Sequence, residues 1–340
     1  MVLGVSVIIC SYNGAARLPK TLQHLALQQV PAEDIPWEII IVDNASTDGT
    51  TSIAKTEWSN YNLPDVGFKV LQQNRPGKNY AFELGVKEAR YEFILTCDDD
   101  NWLYPNYVAT AFKTMQADTS IGALGGQGIF EPEQPAADGI EKFKEFYVTG
   151  PQTWAPEQHW VYGAGSVYKK CVFIDLINSG WQQITTGRQG TKLVCGEDVE
   201  ICFMIYLMGY KVIAYDKLLF KHFVPLKRQS ENYIIKLNFW LSYSNVLLNS
   251  YFSILHNDKR PIKSVINKWF LSSTLTVIKN TLSLVYQKIK TRNSLTIKQK
   301  IFYNNGYGIW YALFLNRKKI IDHHNRVKAL LKLQLANKTT

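Results

Sequence analysis

The sequence predicts an α/β protein, a Rossmann-like and mainly parallel sheet followed by a C-terminal helical region. Three observations carry that reading. Short apolar runs alternate with helical patterns at the spacing of βαβ units, which implies right-handed crossovers. Each run ends in polar residues, at the carboxyl edge where open α/β sheets bind ligands. The charge is also uneven: residues 1–226 carry 18 Lys and Arg against 25 Asp and Glu, a net −7, whereas residues 227–340 carry 20 against 3, a net +17. A boundary near residue 226 therefore separates residues 1–226, an acidic α/β domain, from residues 227–340, a basic amphipathic helical region.

Taken in order, Val5–Cys10 is a β-branched strand leading into the loop Ser11–Gly14. Leu18, Leu22, Leu25 and Leu27 place a helix over Leu18–Gln29. Glu38–Asp43 is a second buried strand, and Asn44–Thr51 is rich in capping residues. Phe68–Leu71 forms a third strand, and Tyr80–Ala89 a helix. Phe93–Leu95 is then a strand that delivers Asp98, Asp99 and Asp100 to the sheet edge. Three adjacent carboxylates repel by a few kcal/mol at protein dielectrics, a cost that a divalent cation among the oxygens removes. A solvated acidic turn is the alternative. The helix Tyr107–Met115 precedes the glycine-rich strand Ile121–Gly128, where small residues admit close approach of a ligand or a neighbouring strand. Residues 131–160 hold four prolines with Trp154, His159 and Trp160, which fits either an acceptor-facing loop or a packed surface loop. The acidic stretch Gly196–Glu200 precedes a helix over Ile201–Met208, and Val212–Tyr215 is a last strand followed by Leu218–Val224 with His222.

Length allows one large domain or two ordinary ones. The five cysteines are odd in number and contain no CxxC pair, which reads as a reducing compartment without a zinc site. The start lacks a basic n-region and runs straight into a strand, so no signal peptide is expected.

Val5–Asn13, Ile41–Thr50, the Asp98–Asp100 cluster, Gly163–Ser166 and Gly196–Glu200, in this order and spacing, resemble a family 2 glycosyltransferase of the inverting, bacterial type with the GT-A nucleotide-diphospho-sugar transferase fold. The resemblance covers residues 5 to about 225. It implies transfer of a sugar from a nucleotide-diphosphate donor to a saccharide or lipid-linked acceptor hydroxyl, as in cell-surface polysaccharide synthesis. By the same resemblance Ser11 and Asp43 contact the nucleoside, as does Asn44, which stands where the family often has a second Asp. An amide both donates and accepts, unlike a carboxylate, so the base is left open. Lys78 is either a diphosphate contact or a surface lysine. Ala81-Phe82-Glu83 stands where many relatives carry Ala-Arg-Asn, so that arginine contact does not transfer. Asp98 and Asp100 correspond to the DxD pair for Mg²⁺ or Mn²⁺, with Asp98 also on the donor ribose and Asp99 structural. Gly163, Ala164 and Gly165 line the donor sugar. Asp198 falls on the catalytic base and Glu197 on a positioning role, although carboxylates at a helix N-terminus also serve as plain caps. His222 is either a third metal ligand or a structural histidine.

Beyond residue 226 the resemblance fades. Leu237–Leu255 is uncharged but carries Asn238, Ser242, Asn245, Asn249 and Ser253 as one polar stripe, which makes it an amphipathic helix rather than a membrane span. Leu271, Leu275, Ile278, Leu282, Val285 and Ile289 recur at helical spacing as a second. Arg317, Lys318, Lys319, Arg326, Lys328 and Lys332 surround a third, shorter one. Basic faces beside apolar ones suit an anionic membrane surface, and equally suit helices packed on the catalytic domain. The expected location is cytoplasmic, peripheral on the inner face of the cell membrane. Two other readings stay open: a nucleotidyltransferase of similar fold, against which Ser11–Gly14 lacks a basic glycine-rich loop, and a nucleic-acid binder, for which no reader motif is present. No nucleic-acid partner is expected.

Overall fold

A computed structural model describes residues 2–31, 35–136, 138–152, 159–188, 192–291 and 294–339. Trp154 and Pro156 of the expected acceptor loop lie outside the described residues. The chain forms two compact units, residues 1–180 with 197–226, and residues 181–196 with 227–340.

The first unit is built on one eight-stranded sheet of order β3-β2-β1-β4-β7-β6-β8-β5. Its strands are β1 (Val2–Ser11), β2 (Trp37–Asp43), β3 (Gly67–Gln72), β4 (Tyr91–Thr96), β5 (Asn101–Leu103), β6 (Ile121–Pro132), β7 (Val167–Lys169) and β8 (Lys211–Val224). The first four named in that order are parallel. β7 runs antiparallel to β4 and β6, β6 runs parallel to β8, and β5 closes the edge antiparallel to β8. The helices are α1 (Leu18–Ala26), α2 (Thr50–Ser59), α3 (Lys78–Glu88), α4 (Tyr107–Ala117), a short α5 (Asp138–Glu141), α6 (Lys170–Asn178) and α7 (Glu197–Leu207). β1 and β2 are apolar without alternation because both sheet faces are covered. Val7, Ile9, Ile39 and Ile41 meet Leu18, Leu22 and Leu25 of α1 and Tyr107 and Phe112 of α4 on one face. On the other, α3 packs on α6 through Phe82 and Phe173, 5.2 Å apart.

The β1–β2 register sets Ser11 level with Asp43, so the two strand ends reach the same edge. Two differences from the sequence reading matter for the site. β8 is one continuous strand with an irregularity between Gly125 and Gln127 of its partner β6, not two segments, and it sets His222 opposite Asn101 of β5. α7 begins at Glu197 and not Ile201, which puts the acidic pair inside the first helical turn. In β6 the glycines admit neighbouring elements: a Cβ at Gly126 would strike the Tyr107 hydroxyl and the carbonyl of Leu218.

The second unit contains α8 (Glu231–Leu255), α9 (Ile262–Thr291) and α10 (Ile297–Thr339). α10 is the longest helix of the chain, not a short one. Ser230 caps α8 by accepting from the Tyr233 amide. The polar stripe of α8 is partly internal: Asn238 is buried and donates to the Ile234 carbonyl, and Ser253 meets His324 of α10 at 3.1 Å. The 181–196 segment is fastened within this unit by Trp181 Nε1 to the Tyr251 hydroxyl (3.0 Å) and by Lys319 to the Ile184 carbonyl (2.8 Å). Among the described residues no helix is long and apolar enough to cross a membrane.

Candidate active site

The three carboxylates after β4 are separated by a tight turn, in which Asn101 N donates to the Asp98 carbonyl and its Oδ1 accepts from Asp98 N. The turn sends each carboxylate to a different neighbour. Asp99 is gripped at both oxygens by Arg17, Nε to Oδ1 and Nη2 to Oδ2 at 2.8 Å each, and Ser11 Oγ donates to it at 2.6 Å. Thr21 Oγ1 also donates to the Asp99 carbonyl. Burial pushes the Asp99 carboxyl up and Asp100 adds to this, while Arg17 and Ser11 oppose the rise. Asp98 Oδ1 accepts from Lys78 Nζ at 2.7 Å. Burial works against the Lys78 charge, but Asp98 and Glu197 outweigh it and hold the ammonium above its ordinary range. Arg17 and Lys78 therefore relieve much of the repulsion that the sequence alone assigned to a metal.

Asp100 lies 5% exposed with its Oδ1 3.5 Å from His222 Nε2. That separation is long for a hydrogen bond but near the roughly 3 Å between neighbouring ligands bound at about 2.1 Å to one hard cation. His222 is 8% exposed, and its Nδ1 is buried without a hydrogen-bond partner. A carboxylate and an imidazole in this relation fit a divalent cation. The expected three-ligand set of Asp98, Asp100 and His222 does not form a closed protein cage, and no group of three His, Cys, Asp or Glu among the described residues does. The physical reason is the pull of Lys78 on Asp98. Mg²⁺-like ions in phosphate sites characteristically take only one or two carboxylates and complete their shell with waters and substrate oxygens.

The neighbouring loops interlock. Asn13 N donates to Ser46 Oγ, Thr47 N donates to Asn13 Oδ1, and Gly14 N donates to Thr50 Oγ1, all at 2.9 Å, so Ser46 and Thr47 shape the turn. Asp43 accepts from Ser46 N at 2.9 Å, Thr51 Oγ1 at 2.6 Å and Gln72 Nε2 at 3.3 Å. Burial raises its carboxyl, but the hydrogen bonds from Ser46 and Thr51 prevail and leave it below the usual range. Asn44 is committed inside the protein: Nδ2 donates to the carbonyls of Gln73 and Arg75, and Oδ1 accepts from Gly77 N at 2.7 Å. Its amide thus builds the loop that leads to Lys78. Tyr12 stands 61% exposed beside this edge.

Across the edge, the turn Gly163–Ser166 is pinned to the end of β4. Thr96 N donates to the Ser166 carbonyl, Gly165 N donates to the Thr96 carbonyl, and Thr96 Oγ1 bonds the Gly163 carbonyl. Gly163 N in turn donates to Asp198 Oδ2 at 2.5 Å, and Val199 N donates to Oδ1 at 2.9 Å. A Cβ at Gly163 would sit 3.0 Å from that of Asp198, so only glycine lets this amide approach. Burial is the main cause that pushes the Asp198 carboxyl up, against the Gly163 amide and the Lys78 charge. Ala164 is buried under the turn and Gly165 adopts a left-handed φ of 69° against Tyr107.

Ser11, Lys78, Asp98 and the 163–166 turn thus converge on one sheet edge with Glu197 and Asp198, and Lys78 faces Asp98 and the α7 carboxylates together. Sequence reasoning missed Arg17, Thr21 and Thr96. A lone arginine near a helix start carries no local signal of a partner 82 residues away.

Proteins of known description resemble this chain in sequence, and a solved one resembles it in fold. Poly-beta-1,6-N-acetyl-D-glucosamine synthase of Staphylococcus aureus (strain COL) is 25% identical over 217 residues, which cover 62% of this chain and 47% of that protein. The chain therefore spans about half the length of that relative. Glucosyl-dolichyl phosphate glucuronosyltransferase of Haloferax volcanii is 23% identical over 264 residues, 75% of this chain and 80% of the relative. A mannosyltransferase from Pyrobaculum calidifontis, solved in complex with GDP-Man and Mn²⁺, superposes with a TM-score of 0.57 at 18% identity, covering 93% of this chain and 87% of that one. This is the GT-A fold. Residues 6–177 match the family described as Glycosyl transferase family 2, and the chain belongs to that family.

Proposed function

We propose that the protein is a metal-dependent, inverting glycosyltransferase. It moves a sugar from a nucleotide-diphosphate donor to a saccharide or lipid-linked acceptor, in the synthesis of a cell-surface polysaccharide or glycan. The observation that carries this reading is the convergence of Lys78, Asp98 and Asp198 at the carboxyl edge of β1 and β4. The names of the relatives, a polysaccharide synthase and a glycosyltransferase acting on a dolichyl phosphate, support the acceptor class.

In this reading Asp198 is the general base. Its carboxylate takes the proton of the acceptor hydroxyl as that oxygen bonds to the anomeric carbon, and the bond from that carbon to the diphosphate oxygen breaks with its electron pair leaving on the nucleoside diphosphate. Attack from the side opposite the leaving group inverts the centre. A carboxyl raised by burial is a stronger base than an exposed one, and the α7 N-terminus stabilises the charged form that must be present before reaction. Gly163 and Val199 amides occupy one lone pair on each oxygen, which leaves acceptor capacity for the hydroxyl. Glu197 stands within the field of Lys78 and orients this side of the site. Asp100 and His222 would hold Mg²⁺ or Mn²⁺, which supplies positive charge for the departing diphosphate. Ser11, Asp43, Lys78 and Asp98 form the donor half, and Asn44 supports it from behind by shaping the loop that carries Lys78. Gly163, Ala164 and Gly165 form the floor beneath the sugar. We place the enzyme in the cytoplasm, held on the inner face of the membrane by its basic helices.

The test is release of nucleoside diphosphate and formation of a glycosylated product from a panel of GDP-, UDP- and dTDP-sugars with Mn²⁺, using wild type and Asp198→Asn. No turnover with any donor, or undiminished turnover in Asp198→Asn, would overturn the reading.

A further inference from the structure

The second unit leaves one apolar face open. On α9, Leu271, Leu275, Ile278, Leu282, Val285 and Tyr286 are 62%, 60%, 52%, 66%, 52% and 61% exposed. The first five are spaced alternately four and three residues apart, so they form a single stripe along about four turns. The stripe lies on the side away from buried Ile266 and Ser273. The side it turns away from is the one where Phe270 packs under the Arg317 guanidinium of α10 at 3.8 Å and Asn280 meets Gly306. α9 is therefore apolar on two sides, one used inside the unit and one facing outward.

The outward face is bordered by cations. Lys268 and Lys279 flank the stripe along α9 and are exposed. Beside its N-terminal half, an open cleft of about 560 Å³ between α9 and α10 is lined by Lys263, Arg317 and Lys318 together with Phe314, Leu315 and Ile321. Phe314 and Leu315 are 54% and 53% exposed. Cations set among apolar side chains match an amphiphile whose phosphate sits beside its hydrocarbon. Self-association through this face would bring two regions of net +17 together, whereas an anionic bilayer complements both the stripe and its charge.

We propose that α9 is the membrane-docking element. Its Leu271–Val285 stripe enters the acyl boundary, and the cleft of Lys263, Arg317 and Lys318 takes the phosphate of an anionic phospholipid. The inference deepens the membrane location proposed above and rests on that reading. It does not depend on the transfer chemistry. Interfacial helices bury an apolar face only part-way into the headgroup region, which suits a unit in which no described helix crosses a bilayer.

The experiment uses the full chain with vesicles of phosphatidylcholine alone or mixed with phosphatidylglycerol. Wild type, Leu275→Glu with Leu282→Glu, and Lys263→Gln with Lys318→Gln are each assayed by flotation and by size exclusion, with far-UV dichroism as the fold check. Each substituted side chain is partly or largely exposed, so the fold should persist. The expected result is flotation of wild type with the anionic vesicles only, at least about tenfold weaker binding in the leucine variant, and a smaller, salt-sensitive loss in the lysine variant. Flotation of the leucine variant like wild type overturns the assignment to α9 while leaving the membrane location standing. Failure of wild type to bind anionic vesicles overturns both. A wild-type dimer that the leucine variant dissociates, without vesicle binding, makes the face a self-association surface and refutes the proposal.

Discussion

Replacing Arg17 by Gln removes both contacts to Asp99 and leaves a carboxylate 7% exposed between two others, with Ser11 Oγ as its remaining side-chain donor. Breaking a buried ion pair costs about 3–5 kcal/mol, and partial exposure of Arg17, 22% at its side chain, lowers the expectation to about 2–4 kcal/mol. Part of that cost is avoided if Asp99 takes up a proton. Burial already raises the Asp99 carboxyl, and without Arg17 it rises further. A carboxyl whose folded pKa is above its unfolded value binds more protons when folded, so it destabilises increasingly as pH climbs through and above the unfolded value near 4. The deficit of Arg17→Gln in melting temperature should therefore be small at about pH 5 and large at about pH 8. Asp99→Asn in the Arg17→Gln background should recover most of the loss, because it removes the charge that lost its partner. Arg17→Lys should recover only part, since an ammonium cannot reproduce the two parallel bonds. Equal melting of wild type and Arg17→Gln at both pH values would refute the clamp.

Further outcomes follow from the same geometry. Asp100→Asn should abolish the Mn²⁺ dependence of nucleotide binding in calorimetry while leaving melting unchanged or slightly higher, because it relieves repulsion in the cluster. Asp198→Asn should keep donor affinity but lower kcat by about a hundredfold or more, and unchanged turnover would shift the base to Glu197 or Glu200. Gly163→Ala should mimic Asp198→Asn in kcat, since the new methyl would sit 3.0 Å from the Asp198 Cβ and displace the carboxylate. In the second unit, burial pushes His323 down to about 4. The unfolded state then takes the proton first, so stability is complete above about pH 6.5 and is lost on acidification toward pH 4, by on the order of 3 kcal/mol. A melting temperature that falls no more steeply over that window than in His323→Gln would argue against it.

The elements that carry the sheet were legible because they are buried on both faces. Val5–Cys10 and Glu38–Asp43 read as strands from composition alone, and the polar residues that end them do reach one edge. What the pattern could not show was each side chain's partner. Asn44 reads as a base contact or a capped turn, whereas its amide bonds residues 73, 75 and 77. That choice depends on a loop about 30 residues away, which no local signal specifies. β5 was missed because three residues are too few to show a period, yet its pairing with β8 is what sets His222 beside Asp100. The C-terminal stripes were legible as helices, but not which faces are covered: Asn238 on the polar stripe of α8 is buried, and Leu282 on the apolar stripe of α9 is exposed.

The acidic triplet shows where sequence reasoning rested on an incomplete argument. Three charges in a row do call for compensation, and the repulsion is real at protein dielectrics. Much of the compensation comes from within the chain, however, through Arg17 on Asp99 and Lys78 on Asp98. The case for a cation accordingly moves from the triplet as a whole to Asp100 and the Nε2 edge of His222 that faces it. This division assigns the residues different tasks. Asp99 fastens the turn to α1, and in the proposed reaction Asp98 would hold Lys78 where the diphosphate enters and Asp100 would address the ion. A substitution at Asp99 should therefore act first on stability, and one at Asp100 first on metal-dependent binding. A single metal cage built from all three would predict the same loss of binding for both, and comparing Asp99→Asn with Asp100→Asn in one Mn²⁺ titration separates the two arrangements.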